Sequence, residues 1–194
     1  MTDFYKKSIQ EILNKINKIN KSKFLVGVDG PGGSGKSTFA KELVELLSNT
    51  RIVRMDDFYK PENLRQESNA EIGSYFDWQK LEKQLLIPFM ENLGIRFQKY
   101  DWQCDSLKEW QYISKNSNVI VEGVYSTRQE LSKYYDLKIW IDCPADDRLL
   151  RGIERGGIEM KNQWQNVWMK QENDYLEKYH PISLSDIIIN GYNA

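Results

Sequence analysis

A lysine and a hydroxyl follow four glycines in Gly30-Pro31-Gly32-Gly33-Ser34-Gly35-Lys36-Ser37, with the spacing G-x-x-x-x-G-K-[ST]. The chemistry this spacing serves is capture of a polyphosphate. The glycines let successive backbone N–H groups turn inward as an anion nest, at the positive end of the helix that follows. Lys36 has the reach for β- and γ-phosphates, and the Ser37 hydroxyl suits a magnesium ion shared with them. Gly30 to Ser37, with Thr38 behind them, are therefore the predicted nucleotide-binding set, for ATP or GTP with magnesium. Movement or hydrolysis of a phosphoryl group is the expected reaction, and the acceptor must be read from other residues.

Several charged residues could complete such a site. Glu122 ends the apolar run Val119-Ile120-Val121, where it could hold magnesium directly or through water. The rival role is structural, an acid that satisfies backbone N–H groups in the next turn. Asp29, just before the glycine-rich loop, has the same two readings. Asp56 and Asp57 close the strand-like segment Arg51 to Met55; neighbours at a strand end face opposite ways, so the two carboxylates are not expected to address one hydroxyl. They could equally terminate the strand or cap a turn. Arg148, Arg151 and Arg155 recur at three and four residues, so a helix would align their guanidinium groups on one face. That ridge either faces anions or is a solvated face paired with Asp146, Asp147 and Glu154.

The elements that must position these groups follow from hydrophobic periodicity. Phe24 to Val28, Arg51 to Met55, Val119 to Val121, Leu137 to Ile141 and Ile187 to Ile189 read as strands, and Ile95 to Trp102 as a peripheral one. Helical spacing appears at Phe39, Leu43, Leu46 and Leu47, at Leu81, Leu85, Leu86 and Phe89, and from about 160 to 179. Residues 60–76 are polar and turn-rich, a surface loop of the kind that carries binding groups. Within 1–22, Ile9, Ile12, Leu13, Ile16 and Ile19 form one apolar stripe, a helix that packs on the domain. Alternating strands and helices predict an α/β sandwich with a mainly parallel sheet, whose ligands bind beyond the carboxyl ends of the strands. Asp29, Asp56, Asp57, Glu122 and Asp142 all fall there on this reading.

Composition narrows the partners. The 194 residues suit one domain, and 27 basic against 28 acidic residues leave a net charge of −1, so no global field favours nucleic acid or an anionic membrane. The mean hydropathy of −0.64 and the lack of a leader or a long apolar span predict a chain outside the membrane. Cys104 and Cys143 lack metal-ligand spacing, so free thiols in a reducing cytoplasm are expected. A small charged metabolite is the expected partner; self-association into a homo-oligomer is left open.

The chain resembles the uridine kinase family of P-loop kinases, a group that includes phosphoribulokinase and pantothenate kinase. The resemblance is carried by Gly30 to Ser37, Asp56-Asp57-Phe58-Tyr59, Phe76-Asp77-Trp78, Tyr100-Asp101, Val121-Glu122-Gly123 and Arg148-Leu149-Leu150-Arg151. These pieces occur in the family order and span about residues 24 to 190. The resemblance implies a three-layer P-loop NTPase sandwich with helices on both sheet faces and a small lid, here about residues 152–170. It also implies phosphorylation of a hydroxyl on a small metabolite, most like a nucleoside, with a vitamin or a sugar phosphate as the other acceptors of the group.

By the same resemblance Asp56 is the base, Phe58 and Tyr59 are its accompanying aromatics, and Lys36 and Arg151 stabilise the transferred phosphate. Arg148 and Arg155 are placed on the lid side of the donor phosphates. Asp77 and Tyr100 become the acceptor-site candidates, since a carboxylate and a phenol bind sugar hydroxyls while aromatics cover a base. The family's His-Pro after the matching Asp is Trp78-Gln79 here, and its Arg-Asp at the lid is Arg155-Gly156. Trp164, Trp168 and Tyr175 are spaced as one packed helix face, and His180 before Pro181 reads as a helix end. A nucleotide-dependent switch or regulatory ATPase is the competing class, but the chain has neither Asn-Lys-x-Asp nor Leu-Ser-Gly-Gly-Gln.

Overall fold

The computed structural model describes residues 3–65 and 71–191. Residues 66–70 of the expected surface loop and the first two residues of the expected N-terminal helix lie outside them. Five strands, β1 (Leu25–Asp29), β2 (Thr50–Arg54), β5 (Asn118–Glu122), β6 (Leu137–Asp142) and β7 (Ile187–Asn190), form one sheet. Their order is β2-β5-β1-β6-β7 and every pairing is parallel. The centre strand β1 is buried at all five positions, which its uninterrupted apolar run requires, whereas the edge strand β7 alternates buried and exposed.

Helices cover both faces. On one face, α1 (Asp3–Asn17) and α2 (Lys36–Glu45) pack Ile9, Ile12, Ile16, Phe39 and Leu43 against Val26, Val28, Ile120 and Ile139. The N-terminal stripe therefore lies in the core as its spacing predicted, each fully buried isoleucine contributing roughly 1.5–3 kcal/mol of transfer free energy. On the other face a helix over 78–90, α4, buries Leu81, Leu85, Leu86 and Phe89 against Leu25, Val119 and Val121. The expected loop before it carries a single helical turn, α3 (Glu62–Arg65).

The peripheral strand predicted at 95–102 is β3 (Ile95–Asp101), but it is half of an antiparallel ribbon with β4 (Ser106–Ile113), an element not foreseen. Beyond β6, α5 (Ala145–Gly156) and a helix over 161–179, α6, form an antiparallel arm that returns to β7. Both α4 and α6 contain a π-wound section, Glu82–Leu86 and Trp164–Trp168. His180, in the left-handed region at φ +48, ends α6, as expected of a helix-end residue. No helix among the described residues is long and apolar enough to cross a membrane.

Candidate active site

The strand order reverses direction at β1, whose neighbours β5 and β6 lead away on opposite sides, and the glycine-rich loop occupies that switch point. A cavity of about 600 Å³ opens there. Gly32, Gly33, Gly35, Lys36, Ser37 and Thr38 line it together with Asp56, Glu122, Arg151 and Arg155. Gly30, Pro31 and Ser34, also expected in the nucleotide-binding set, are buried and do not line it. Gly33 adopts φ +76, and a Cβ there would stand 2.8 Å from the Arg148 carbonyl oxygen, so only glycine lets the loop curl and press on α5.

Three contacts define the phosphate end. Lys36 Nζ donates to the Pro31 carbonyl at 2.7 Å, which holds the side chain folded over the loop. Ser37 Oγ donates to Glu122 Oε1 at 2.9 Å, and Arg54 Nε stands 3.6 Å from the same oxygen. Burial pushes the Lys36 ammonium below its ordinary value, while the carboxylates of Glu122, Glu172, Asp29 and Asp56 push it back. Burial likewise raises Glu122, opposed first by the Lys36 charge and then by the Ser37 hydroxyl.

Asp56 and Asp57 lie on a 3₁₀ turn, Met55–Phe58, rather than on the strand itself. Met55 and Phe58 turn inward and are fully buried, whereas the Asp56 carboxylate is open to the cavity. Protein mass around it raises the Asp56 pKa, an effect countered first by Lys36. Asp57 points away: its Oδ2 accepts from the Arg54 N–H at 3.2 Å and pairs with Lys99 at 3.8 Å. The separation of the two acids inferred from strand alternation thus holds, by a different local geometry.

Asp29 is resolved in favour of structure. It is fully buried, and its two oxygens accept five hydrogen bonds, from the N–H groups of Gly30, Tyr125 and Thr127 and from the hydroxyls of Thr127 and Tyr175. The bonds span 2.7–3.0 Å and tie β1, the loop after β5 and α6 together. No lone pair is left to spare for a metal, while Glu122 sits beside the Ser37 hydroxyl.

Four sequence expectations need correction. Phe58 does not line the cavity; it stacks on Phe97 at 5.5 Å in the core, because the 3₁₀ turn directs it inward. Asp77 is the N-cap of α4, its Oδ1 accepting from Lys80 N–H at 2.9 Å, and is absent from the cavity wall. Tyr100 is buried behind the wall and donates its hydroxyl to Asp105. The three arginines do share a helix face, but that face runs from the interior to the mouth. Arg148 is buried against Glu172 at 2.7 Å, Arg151 bonds the carbonyls of Gly33 and Gly191 at 3.2 and 3.3 Å, and Arg155 reaches the cavity over the Trp164 ring.

Residues not foreseen complete the walls: Tyr75, Phe76, Trp102, Tyr125, Gln171 and Glu172. Tyr59 lines the cavity and is the centre of an aromatic patch with Trp102 at 4.4 Å, Phe76 at 5.1 Å and Tyr75 at 6.2 Å. Trp102 is 55% exposed on the turn of the β3–β4 ribbon, with its ring against Tyr59 at the cavity wall. Trp164 packs as its spacing suggested, buried and edge-on to Trp168, yet both rings also face the cavity.

Residues 25–179 match the phosphoribulokinase / uridine kinase family. The chain belongs to this family. Uridine-cytidine kinase B of Dictyostelium discoideum is 30% identical over 164 residues, 79% of this chain and 66% of that protein. Uridine kinase of Halobacterium salinarum is 26% identical over 82% of this chain and 72% of its own length. A solved Bacillus stearothermophilus chain described as a possible uridine kinase superposes with a TM-score of 0.75 at 23% identity, covering 95% of this chain and 98% of its own. The protein is therefore a small-molecule kinase that delivers phosphate to a hydroxyl, and the switch reading is set aside. The five-stranded parallel sheet clad by helices on both faces is the fold expected of it.

Proposed function

We propose that this kinase transfers the γ-phosphate of ATP to a hydroxyl of a nucleoside, with Asp56 as the proton acceptor. The observation that carries the reading is that one cavity holds Lys36 and the loop N–H groups, the open Asp56 carboxylate, and the aromatic patch around Tyr59. The first suits a triphosphate, the second a reacting hydroxyl and the third a planar base. Curated relatives named uridine kinase support the acceptor class.

Phosphoryl transfer asks a protein mainly for alignment and charge compensation. Lys36 exchanges its bond to the Pro31 carbonyl for the phosphates, and Arg155, with a guanidinium at the cavity mouth, faces the developing charge. Arg151, bonded to the loop and to Gly191, fixes the loop rather than meeting phosphate. Asp56 takes the hydroxyl proton as the oxygen bonds to phosphorus and the bond to the β-phosphate oxygen breaks, releasing ADP. Ser37 and Glu122 fit magnesium, being adjacent hard-oxygen donors beside the nest. When bound, the ion neutralises phosphate charge. Among the described residues no cluster of three or more carboxylate, histidine or cysteine ligands exists, which suits an ion that draws its other ligands from phosphate and water. Residues 152–170, which carry Trp164 and Trp168, act as the lid that excludes water.

The test is turnover of magnesium-ATP, and of magnesium-GTP in parallel, with panels of nucleosides, vitamins and sugar phosphates. Stimulation by a nucleoside is expected. Stimulation by another panel alone would refute the nucleoside assignment.

A further inference from the structure

Glu172 lies on α6, 140 residues from the glycine-rich loop, yet its Oε1 accepts the Gly32 N–H at 2.8 Å. Its Oε2 accepts from Arg148 Nη1 of α5 at 2.7 Å, and both side chains are nearly fully buried. One carboxylate therefore joins three segments: the tip of the loop and the two helices of the arm. The packing around it is equally tight. A Cβ on Gly32 would stand 2.8 Å from Glu172 Oε1 and 3.0 Å from the Trp164 ring, and a Cβ on Gly152 would stand 2.4 Å from that same indole. The helices thus grip the loop tip through Trp164 as well as through the carboxylate.

Isolated buried charges of this kind are costly, and the ion pair offers no net stability over apolar packing of similar volume. What it does supply is direction. A carboxylate with one oxygen on each partner fixes the angle between the Gly32 peptide and the Arg148 guanidinium. It also withholds the Gly32 N–H and the Arg148 charge from incoming phosphate, leaving the N–H groups from Gly33 onward, with Lys36, to form the nest. We propose that Glu172 is a positioning residue that clamps the tip of the phosphate loop to α5 and α6, the helices that carry the lid, so that loop and lid reach nucleotide-binding geometry as one unit. The proposal rests on the reading of Gly30–Ser37 as the triphosphate site.

The experiment measures binding of magnesium adenylyl imidodiphosphate by calorimetry, and KM and kcat for each substrate, in wild type and Glu172→Gln. Glutamine keeps the volume but has one acceptor oxygen, so either Gly32 or Arg148 loses its partner. Analogue affinity and the KM for ATP should worsen about tenfold, the effect of one lost charge-assisted bond, with the acceptor KM unchanged within twofold. Wild-type analogue affinity in E172Q, or an equal rise in both KM values, would overturn the clamp. A wild-type protein that binds no magnesium triphosphate would instead refute the donor-site reading beneath it. Should E172Q not fold, the paired change Arg148→Met with Glu172→Leu removes both buried charges while keeping the packing. That variant should show the same selective loss for ATP, and unchanged analogue affinity in it would equally overturn the proposal.

Discussion

Replacing Asp29 with asparagine separates a structural acid from a metal-binding one. The carboxylate accepts five hydrogen bonds in a fully buried position. Asparagine offers one acceptor oxygen. In its better orientation that oxygen keeps the Gly30 and Tyr125 N–H groups, and its amide donates to the Thr127 and Tyr175 hydroxyls, which can rotate to accept. The Thr127 N–H is then orphaned. One buried donor without a partner costs about 1–3 kcal/mol, and the four bonds that remain all lose their charge-assisted part, together about 2 kcal/mol. Removing a carboxylate whose burial raises its pKa returns part of this, leaving a loss of about 2–3 kcal/mol. For 194 residues that lowers Tm by about 4–12 °C. Urea and thermal unfolding should show the loss, while the magnesium dependence of triphosphate binding stays as in wild type. A D29N protein of unaltered stability but altered magnesium dependence would refute the reasoning and return Asp29 to the metal site.

Other outcomes follow from the same geometry. Asp77→Ala removes the N-cap of α4 and should lower stability by about 1 kcal/mol, with the acceptor KM unchanged within twofold; a large rise in that KM would restore Asp77 to the acceptor site. Trp102→Ala should raise the acceptor KM about tenfold by removing a stacking surface, leaving the KM for ATP alone, as steady-state kinetics would show. Because the base works ionised and burial raises Asp56 above the ordinary 3.8 of an aspartate, activity should climb with pH through a limb above that value. Arg155→Gln removes a charge that lowers the Asp56 pKa and should move the limb further up in a pH profile of kcat/KM.

The sequence was most readable where the physics is local or continuous. The glycine-rich loop encodes its own geometry in eight adjacent residues, and the buried strands β1 and β5 announce themselves as apolar runs, as does β6 despite Lys138. Where one residue type serves two purposes the sequence misled. An N-capping aspartate and a ligand-binding one look alike in sequence, which is why Asp77 resembles an acceptor-site residue, and a phenylalanine beside a catalytic-looking acid resembles cavity wall although the 3₁₀ turn buries it. The arginine spacing correctly gave a shared face but could not say that the face dives inward, which depends on how α5 docks. β4 went unseen because its first four residues are exposed and carry no alternation. Glu172 had no local signal at all: its role comes from contacts 24 and 140 residues away.

The central claim, that the loop and Asp56 are the donor and base of one nucleoside kinase site, is tested most directly by Asp56→Asn. Transfer from γ-labelled ATP to uridine or cytidine is followed under saturating conditions, with analogue binding measured on the same samples. The expected result is a labelled nucleoside monophosphate from wild type, a turnover about 10²–10⁴-fold lower in D56N, and analogue affinity within about twofold of wild type. Undiminished nucleoside-dependent transfer by D56N would contradict it.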